Sequence, residues 1–550
     1  MNLTTPPPQH DDLAQRSQLW PSTPVDLPRA LNWLTKPIMP FALSYGRRVP
    51  RRGPRGHEPE DVLLPRGYRA EVVATGLSAP VMTTFGPDGA AYVVESGHKV
   101  DDAPRIRRVD PSTGALSTVH EFTGPDWVET GAVTGAVFVD GALIVTNTDR
   151  VIRIEADASR RTIVEGLPGR GDHQTNHPVV GPDGKVYFGV GVATNSGVIG
   201  SDNGAYGWLQ DNPDVHDVPG QDVVLAGRNY EDRDMLGDLS RKVRTGAFVP
   251  FGTETQPGQV IPGSVKASGS VLRCDADGSN LELVAWGLRN PYGLAFAADG
   301  ALFATEHGMD ARSKRHILGD FDDLYRIEDG RWYGWPDFAS GMRLDDPRWG
   351  DGGQGREPVL AAFPEPEPPY PVVSFPPHSG SNGIAISPGG DFGFEGNAFV
   401  AMFGDLAPIT TPRLATPVGY KVVRIDLERR QIVDFALNRI QGPASKLPHD
   451  GFERPSHCVF GPDGALYVTD FGEIEIAPEK AGIRVQAGSG TLWRIRREGD
   501  VPAGTEPPEA VKVPFYVAQY ATWAGFVAVA VAVAVAGIAI VIRRLMRRSS

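Results

Sequence analysis

One phrase recurs along the middle of this chain: an apolar pair, a tight Gly/Pro/Asp turn, then an alternating run. It reads FGPDGAAYVVESG at 85–97, VFVDGALIVTNTD at 137–149, VVGPDGKVYFGVG at 179–191, LAFAADGALFATEHG at 294–308 and VFGPDGALYVTDFG at 459–472. A looser copy, AISPGGDFGFEGNAFVAMFGD, lies at 385–405. An Asp-Gly turn between apolar runs of period two is a strong β-hairpin signal. A second phrase follows each copy: RIRRVDPSTG (105–114), VIRIEAD (151–157), VLRCDADG (271–278), LYRIEDG (324–330), KVVRIDL (421–427) and TLWRIRR (491–497). Six such pairs predict an all-β, six-bladed β-propeller over residues 63–498. In the third unit the two phrases lie far apart, so residues 192–265 are a long insertion rich in Asp, Gly and Asn. Extra length on one propeller face commonly builds a site over the central channel, although a surface elaboration fits equally well.

The remaining segments are expected to differ from this core. Residues 1–62 are rich in proline and polar residues, carry Arg47, Arg48, Arg51, Arg52 and Arg55, and read as a flexible extension without an apolar signal-peptide core. Residues 499–519 read as a linker. Residues 520–543 read as a C-terminal transmembrane α-helix, since WAGFVAVAVAVAVAGIAIVI at 523–542 has no charge. Twenty residues at about 1.5 Å each match a bilayer core of about 30 Å. A lone strand would leave its backbone unpaired in lipid, which favours the helix. The basic tail 544–550 continues the arginine cluster that starts at Arg543, and such clusters stay cytoplasmic, which places the propeller outside the cytoplasm. The net charge of −13 argues against a nucleic-acid partner. Cys274 and Cys458 form neither a disulfide framework nor a zinc set and are expected to be buried and inert.

The loops that precede the hairpins should share one end of the propeller. They carry Asp172 and His173 before the third hairpin, and Arg289 and Asn290 before the fourth, with Glu306, His307, Gly308 and Met309 after it. His378 and Asn382 precede the fifth, and His449, Asp450, Arg454 and His457 the sixth. Taken singly, a histidine or arginine beside a strand is more often structural than functional. Recurrence at equivalent positions is what points to a site, one suited to an anionic ligand with planar carboxylates. His177 reads as a structural neighbour of His173.

DHQTNHPVVGPDGKVYF, GLRNPYGLAFAADGALFATEHG and DLYRIEDGRWYGWPDF resemble the histidine loop, the arginine-asparagine loop and the Tyr-Gly-Trp-Pro turn of the pyrroloquinoline-quinone-dependent sugar dehydrogenases, the soluble glucose and L-sorbosone dehydrogenase family. The resemblance implies pyrroloquinoline quinone (PQQ) and Ca2+ on the propeller axis and oxidation of a sugar, aldose or sorbosone-like, at C1. It implies His173 as general base; adjacent Asp172 is placed to orient that ring or raise its pKa, and Arg289 to counter charge on the quinone oxygen. Asn290, Arg454 and Arg413 would bind the cofactor, and the backbone carbonyls of Gly308 and Met309 would bind calcium. A membrane quinone or cytochrome would take the electrons. The chain departs from the family pattern in AMFGDLAPITTPR (401–413), where a cationic segment is expected, and beside Arg454, where Glu453 and Pro455 replace a second arginine. Two other classes remain open on the sequence: a non-enzymatic cell-surface propeller binding a glycan or protein, and a calcium-dependent sugar lactonase.

Overall fold

A computed structural model describes residues 55–510, except 101, 124–130, 350–355, 412–415, 448, 478–481 and 500–503. Six antiparallel sheets, each of four main strands, stand around one axis. Their inner strands are Pro80–Phe85, Val133–Val139, Thr175–Val180, Pro291–Phe296, Ser381–Ile386 and Pro455–Phe460. Each packs on the next and the last packs on the first, so the ring is closed. The sixth sheet joins three C-terminal strands to the N-terminal strand Tyr68–Leu77, which pairs with Gly490–Arg497. Closure of this kind leaves no free inner edge for aggregation.

The repeated turn has a local cause. Asp183 Oδ1 accepts the Lys185 N–H at 3.2 Å, and the Tyr187 hydroxyl donates to Asp183 Oδ2 at 2.9 Å. Asp463 does the same for Ala465 and Tyr467, and Asp88 for Ala90 and Tyr92. The aspartate thus closes its own turn and pins the tyrosine of the following strand. Gly184 takes a φ of 78°, which favours glycine in this turn. Between blades the buried faces are apolar: Phe399, Phe435, Phe452, Val468 and Trp493 form one cluster between the fifth and sixth.

Residues 192–265 leave the second strand of blade three, Val186–Val190, and return to its third, Ser270–Cys274. The insertion contains the short helices Ser201–Tyr206 and Trp208–Asp211 and two small two-stranded sheets. Cys274 and Cys458 are buried free thiols, as expected, and burial pushes both up to about 12.

The last residues of the expected N-terminal extension are among those described. Residues 55–62 lie against blades five and six. Arg55 Nη2 pairs with Asp470 Oδ2 at 2.6 Å, with side chains only 3% and 0% exposed. Val62–Leu63 adds an edge strand to blade five through Asn438 and Leu437. A proline-rich, basic composition predicts a solvated tail; it cannot reveal a buried carboxylate waiting more than four hundred residues away. The expected transmembrane helix lies outside the described residues. Among those described, no helix is long and apolar enough to cross a membrane.

Candidate active site

All six inner strands start at the same face, so the segments before them meet there. Backbone hydrogen bonds stitch two of them to the segments that follow the second strands of blades three and four. Gly191 N–H donates to Gln174 O at 3.0 Å, Val192 N–H to Arg289 O at 2.9 Å and His307 N–H to Asn290 O at 3.3 Å. Gly191 is the pivot. A Cβ there would stand 2.3 Å from His173 Cβ and 2.5 Å from Asn290 Oδ1, so only glycine lets the histidine and the amide approach together.

His173 Nδ1 lies 2.9 Å from Val192 O. A carbonyl can only accept, so Nδ1 carries the hydrogen and Nε2 of the neutral ring keeps its lone pair. Burial pushes this imidazole well below its ordinary range, and the Arg289 charge adds to the effect. The ring therefore stays neutral and able to accept a proton. Asp172 does not orient it, contrary to the expectation from their adjacency. The Asp172 carboxylate turns away: Oδ1 accepts Trp208 Nε1–H at 2.6 Å and Asn203 Nδ2–H at 3.1 Å, while Oδ2 pairs with Arg312 at 2.6 Å. A fixed guanidinium and an indole N–H offer the carboxylate stronger partners than a desolvated neutral imidazole.

Arg289 is buried and tethered. Nη2 donates to Asn195 Oδ1 at 3.0 Å and to Asp310 Oδ2 at 3.1 Å, and Nη1 to His307 O at 3.3 Å. Burial works to raise Asp310, but Arg289 and Arg312 outweigh it and bring the carboxyl down to about 2. Asn290 Oδ1 accepts Asn176 Nδ2–H at 2.8 Å, and its Nδ2 faces His307 Nδ1 at 2.9 Å. His307 Nε2 lies 2.9 Å from Asn382 Oδ1. His378 joins the group, with Nδ1 4.0 Å from Asp310 Oδ1.

Arg454 lies on the next loop. Nη1 donates to Gly404 O and Asp405 O at 3.2 Å, and the guanidinium stands 4.9 Å from the Tyr420 ring centre. These partners are neutral, and Arg454 Nε is buried without one. With an unpartnered Nε and no ion pair among the described residues, this guanidinium fits a carboxylate or quinone oxygen of PQQ. Arg413 lies outside the described residues. His449 and Asp450 do not join the site. They face the N-terminal arm: His449 Nδ1 is 3.5 Å from Asp61 Oδ1, and Asp450 N–H donates to Asp61 Oδ2 at 2.9 Å. His177 and His457 stack edge to face at 5.0 Å, each the third residue of its inner strand, and plug the axis below the site.

Gly308 and Met309 border a cavity shared with Glu306, Asp320 and Asp323. Their N–H groups are held by Asp322 Oδ1 at 3.0 Å and Asp320 Oδ2 at 2.6 Å. Burial pushes Glu306 up to about 8 and Asp320 up to about 7, and raises Asp323 strongly. Glu306 Oε2 is buried without a partner. Among the described residues no group of three or more His, Cys, Asp or Glu side chains forms a metal cage. The unpartnered Glu306 oxygen, in a cavity bordered by Gly308, Met309, Asp320 and Asp323, nevertheless fits a hard divalent cation such as Ca2+. A carboxyl whose folded pKa is raised destabilises the fold as pH climbs from its unfolded value to its folded one. Metal-free protein is therefore expected to lose thermal stability between about pH 5 and about pH 8, and added Ca2+ to restore it most at the upper end. Melting curves with chelator or Ca2+ check this; identical curves would remove the cation from the cavity.

Asn195, Asp310 and Arg312 were not singled out by the sequence reading. Asn195 is fully buried, and its Oδ1 also accepts the Asp310 N–H at 2.8 Å. The one signal for these residues was the length and Asp/Asn content of the insertion and of the loop after blade four's hairpin.

Fold and site together define a six-bladed β-propeller with a connected cluster of histidines, amides and arginines at one end of its inner strands. Residues 262–408 match the family model described as Glucose / Sorbosone dehydrogenase. A curated relative, quinoprotein glucose dehydrogenase B of Acinetobacter calcoaceticus, is 24% identical over 303 residues, covering 50% of this chain and 53% of that protein. The chain thus spans about half the length of that relative. Among solved structures, the holo form of the pyranose dehydrogenase PQQ domain from Coprinopsis cinerea is 16% identical, with a TM-score of 0.48 over 82% of this chain and 98% of that one. The PQQ-bound aldose sugar dehydrogenase from Streptomyces coelicolor is 18% identical, with a TM-score of 0.43 over 79% and 100%. At those scores the six-bladed assignment rests on the strand order itself. Through the matched segment, which contains Arg289 and Asn290 but not His173, the chain resembles the glucose and sorbosone dehydrogenases.

Proposed function

We propose that this protein is a quinoprotein dehydrogenase that oxidises an aldose or sorbosone-like sugar at C1. The observation that carries the reading is the His173 ring, fixed through Nδ1–H with Nε2 left free of a hydrogen, beside Asn290 and within reach of the Arg289 charge. In this reading Nε2 takes the proton of the anomeric hydroxyl as the C1 hydrogen departs as hydride. General-base assistance of this kind is worth about 10²–10⁴-fold. Bound PQQ would supply the hydride acceptor. Arg289, held by Asn195 and Asp310, keeps a positive charge in place without rearrangement, which favours negative charge developing nearby. Arg454 and Asn290 would hold the cofactor, and Gly308 and Met309 the cation. Anchorage by residues 520–543, an extracytoplasmic propeller and a membrane quinone or cytochrome as acceptor complete the proposal; they rest on the sequence of the C-terminal segment.

The test is reconstitution of the full chain with Ca2+ and PQQ, followed by absorbance spectra before and after adding aldose. The expected result is bound quinone that bleaches on sugar addition. Failure to retain quinone would overturn the reading. A propeller that binds glycan or protein without turnover would then lead, because Asp310 already neutralises Arg289. Lactone hydrolysis without any electron acceptor would instead favour a lactonase.

A further inference from the structure

Arg312 stands where three segments meet. Nη2 donates to Asp172 Oδ2 at 2.6 Å, Nη1 to Asp202 Oδ2 at 2.7 Å and Nε to Asp310 Oδ2 at 2.9 Å. The guanidinium also lies 4.5 Å from the Tyr206 ring centre. Each carboxylate belongs to a different part of the fold. Asp172 precedes His173, Asp310 holds Arg289, and Asp202 sits in the helix Ser201–Tyr206 of the insertion. The second Asp172 oxygen is taken by the same insertion, through Asn203 and Trp208.

We propose that Arg312 is a positioning residue that sets His173 relative to Arg289 and clamps the 200–211 segment beside them as a wall of the substrate site. The role in chemistry rests on the dehydrogenase reading above; the clamp does not. The side chain is 10% exposed, and its partners Asp172, Asp202 and Asp310 are 3%, 12% and 12% exposed, so water cannot replace the lost bonds cheaply. Three acceptors in three directions need the planar fork of arginine. Lysine would keep the charge but serve them from a single point.

The charged groups facing His173 are Arg289 and Arg312 on the positive side and Asp310 on the negative, with Asp172 adjacent in the chain. Losing Arg312 removes one cation and releases Asp172 and Asp202 from theirs, so the His173 proton is held more tightly. The general base must be neutral, and the acid limb of kcat/KM therefore moves to higher pH.

The experiment compares Arg312→Gln, Arg312→Lys and Asp202→Asn in the full chain loaded with PQQ and Ca2+. Arg312→Gln is expected to shift the acid limb upward by about one pH unit and to lower kcat by about 10–100-fold. Arg312→Lys should lower kcat similarly with the acid limb in place, which separates geometry from charge. Trypsin reads the clamp without any turnover, since Arg228, Arg233, Arg241, Lys242 and Arg244 lie in the insertion. Cleavage there should speed up about tenfold in Arg312→Gln and also rise in Asp202→Asn, with the far-ultraviolet melt of the propeller retained. An unmoved acid limb in Arg312→Gln together with wild-type cleavage in all three variants overturns the proposal. If the wild type oxidises no sugar, the dehydrogenase reading fails on its own, and the tryptic arm decides the clamp: wild-type cleavage rates sink it.

Discussion

His173→Ala is expected to lower kcat/KM for sugar oxidation by about 10³-fold while leaving the melting temperature nearly unchanged. The ring makes one hydrogen bond, to Val192 O, and the main-chain bond from His173 N–H to the same carbonyl at 3.3 Å remains in the alanine variant. Little of the fold depends on the side chain, so activity and stability should separate. His173→Asn refines the test. Its amide N–H can replace the Nδ1–H donor, but no atom of asparagine accepts a proton near neutral pH. Steady-state rates at saturating PQQ, read beside a thermal melt, give both numbers. Turnover within a few-fold of wild type would mean that another group, or water, takes the proton.

Removing Arg55 is expected to have the largest effect on stability. Arg55→Ala leaves the Asp470 carboxylate buried without its cation, and breaking a buried pair from one side costs about 3–5 kcal/mol. Asp470 is also the strut of the Arg454 loop: Oδ1 accepts the Arg454 N–H at 2.7 Å and Oδ2 the Glu453 N–H at 2.8 Å. A second Arg55 bond, from Nη2 to Gly451 O at 2.6 Å, ties the same loop to the N-terminal arm. Loss of stability should therefore come with weaker cofactor retention. Deleting residues 1–62 should reproduce the defect, whereas deleting residues 1–52, which spares Arg55, should not. Denaturant midpoints of the two truncations settle the matter. Equal midpoints would show that the arm adds nothing to the fold.

The six blades were legible in the sequence because their cause is local. A Gly-Pro-Asp-Gly turn whose aspartate holds both the N–H two residues on and the tyrosine four residues on needs no information from elsewhere in the chain, and period-two alternation marks the strands beside it. The loops were legible for the same reason, since each precedes its own hairpin. His173, Arg289, Asn290, His307 and Asn382 accordingly form one connected group. The direction in which each side chain turns depended on groups distant in sequence. Asp172 neighbours His173 in the chain, yet its carboxylate is claimed by Arg312 and by Trp208 of the insertion. His449 and Asp450 look like members of the site, yet they face an arm that composition marks as a tail. Local patterning thus determined the strands, the turns and which loops share a mouth. Only the tertiary structure decided which charges meet there, because a buried charge takes whichever partner the closed ring brings within hydrogen-bond reach.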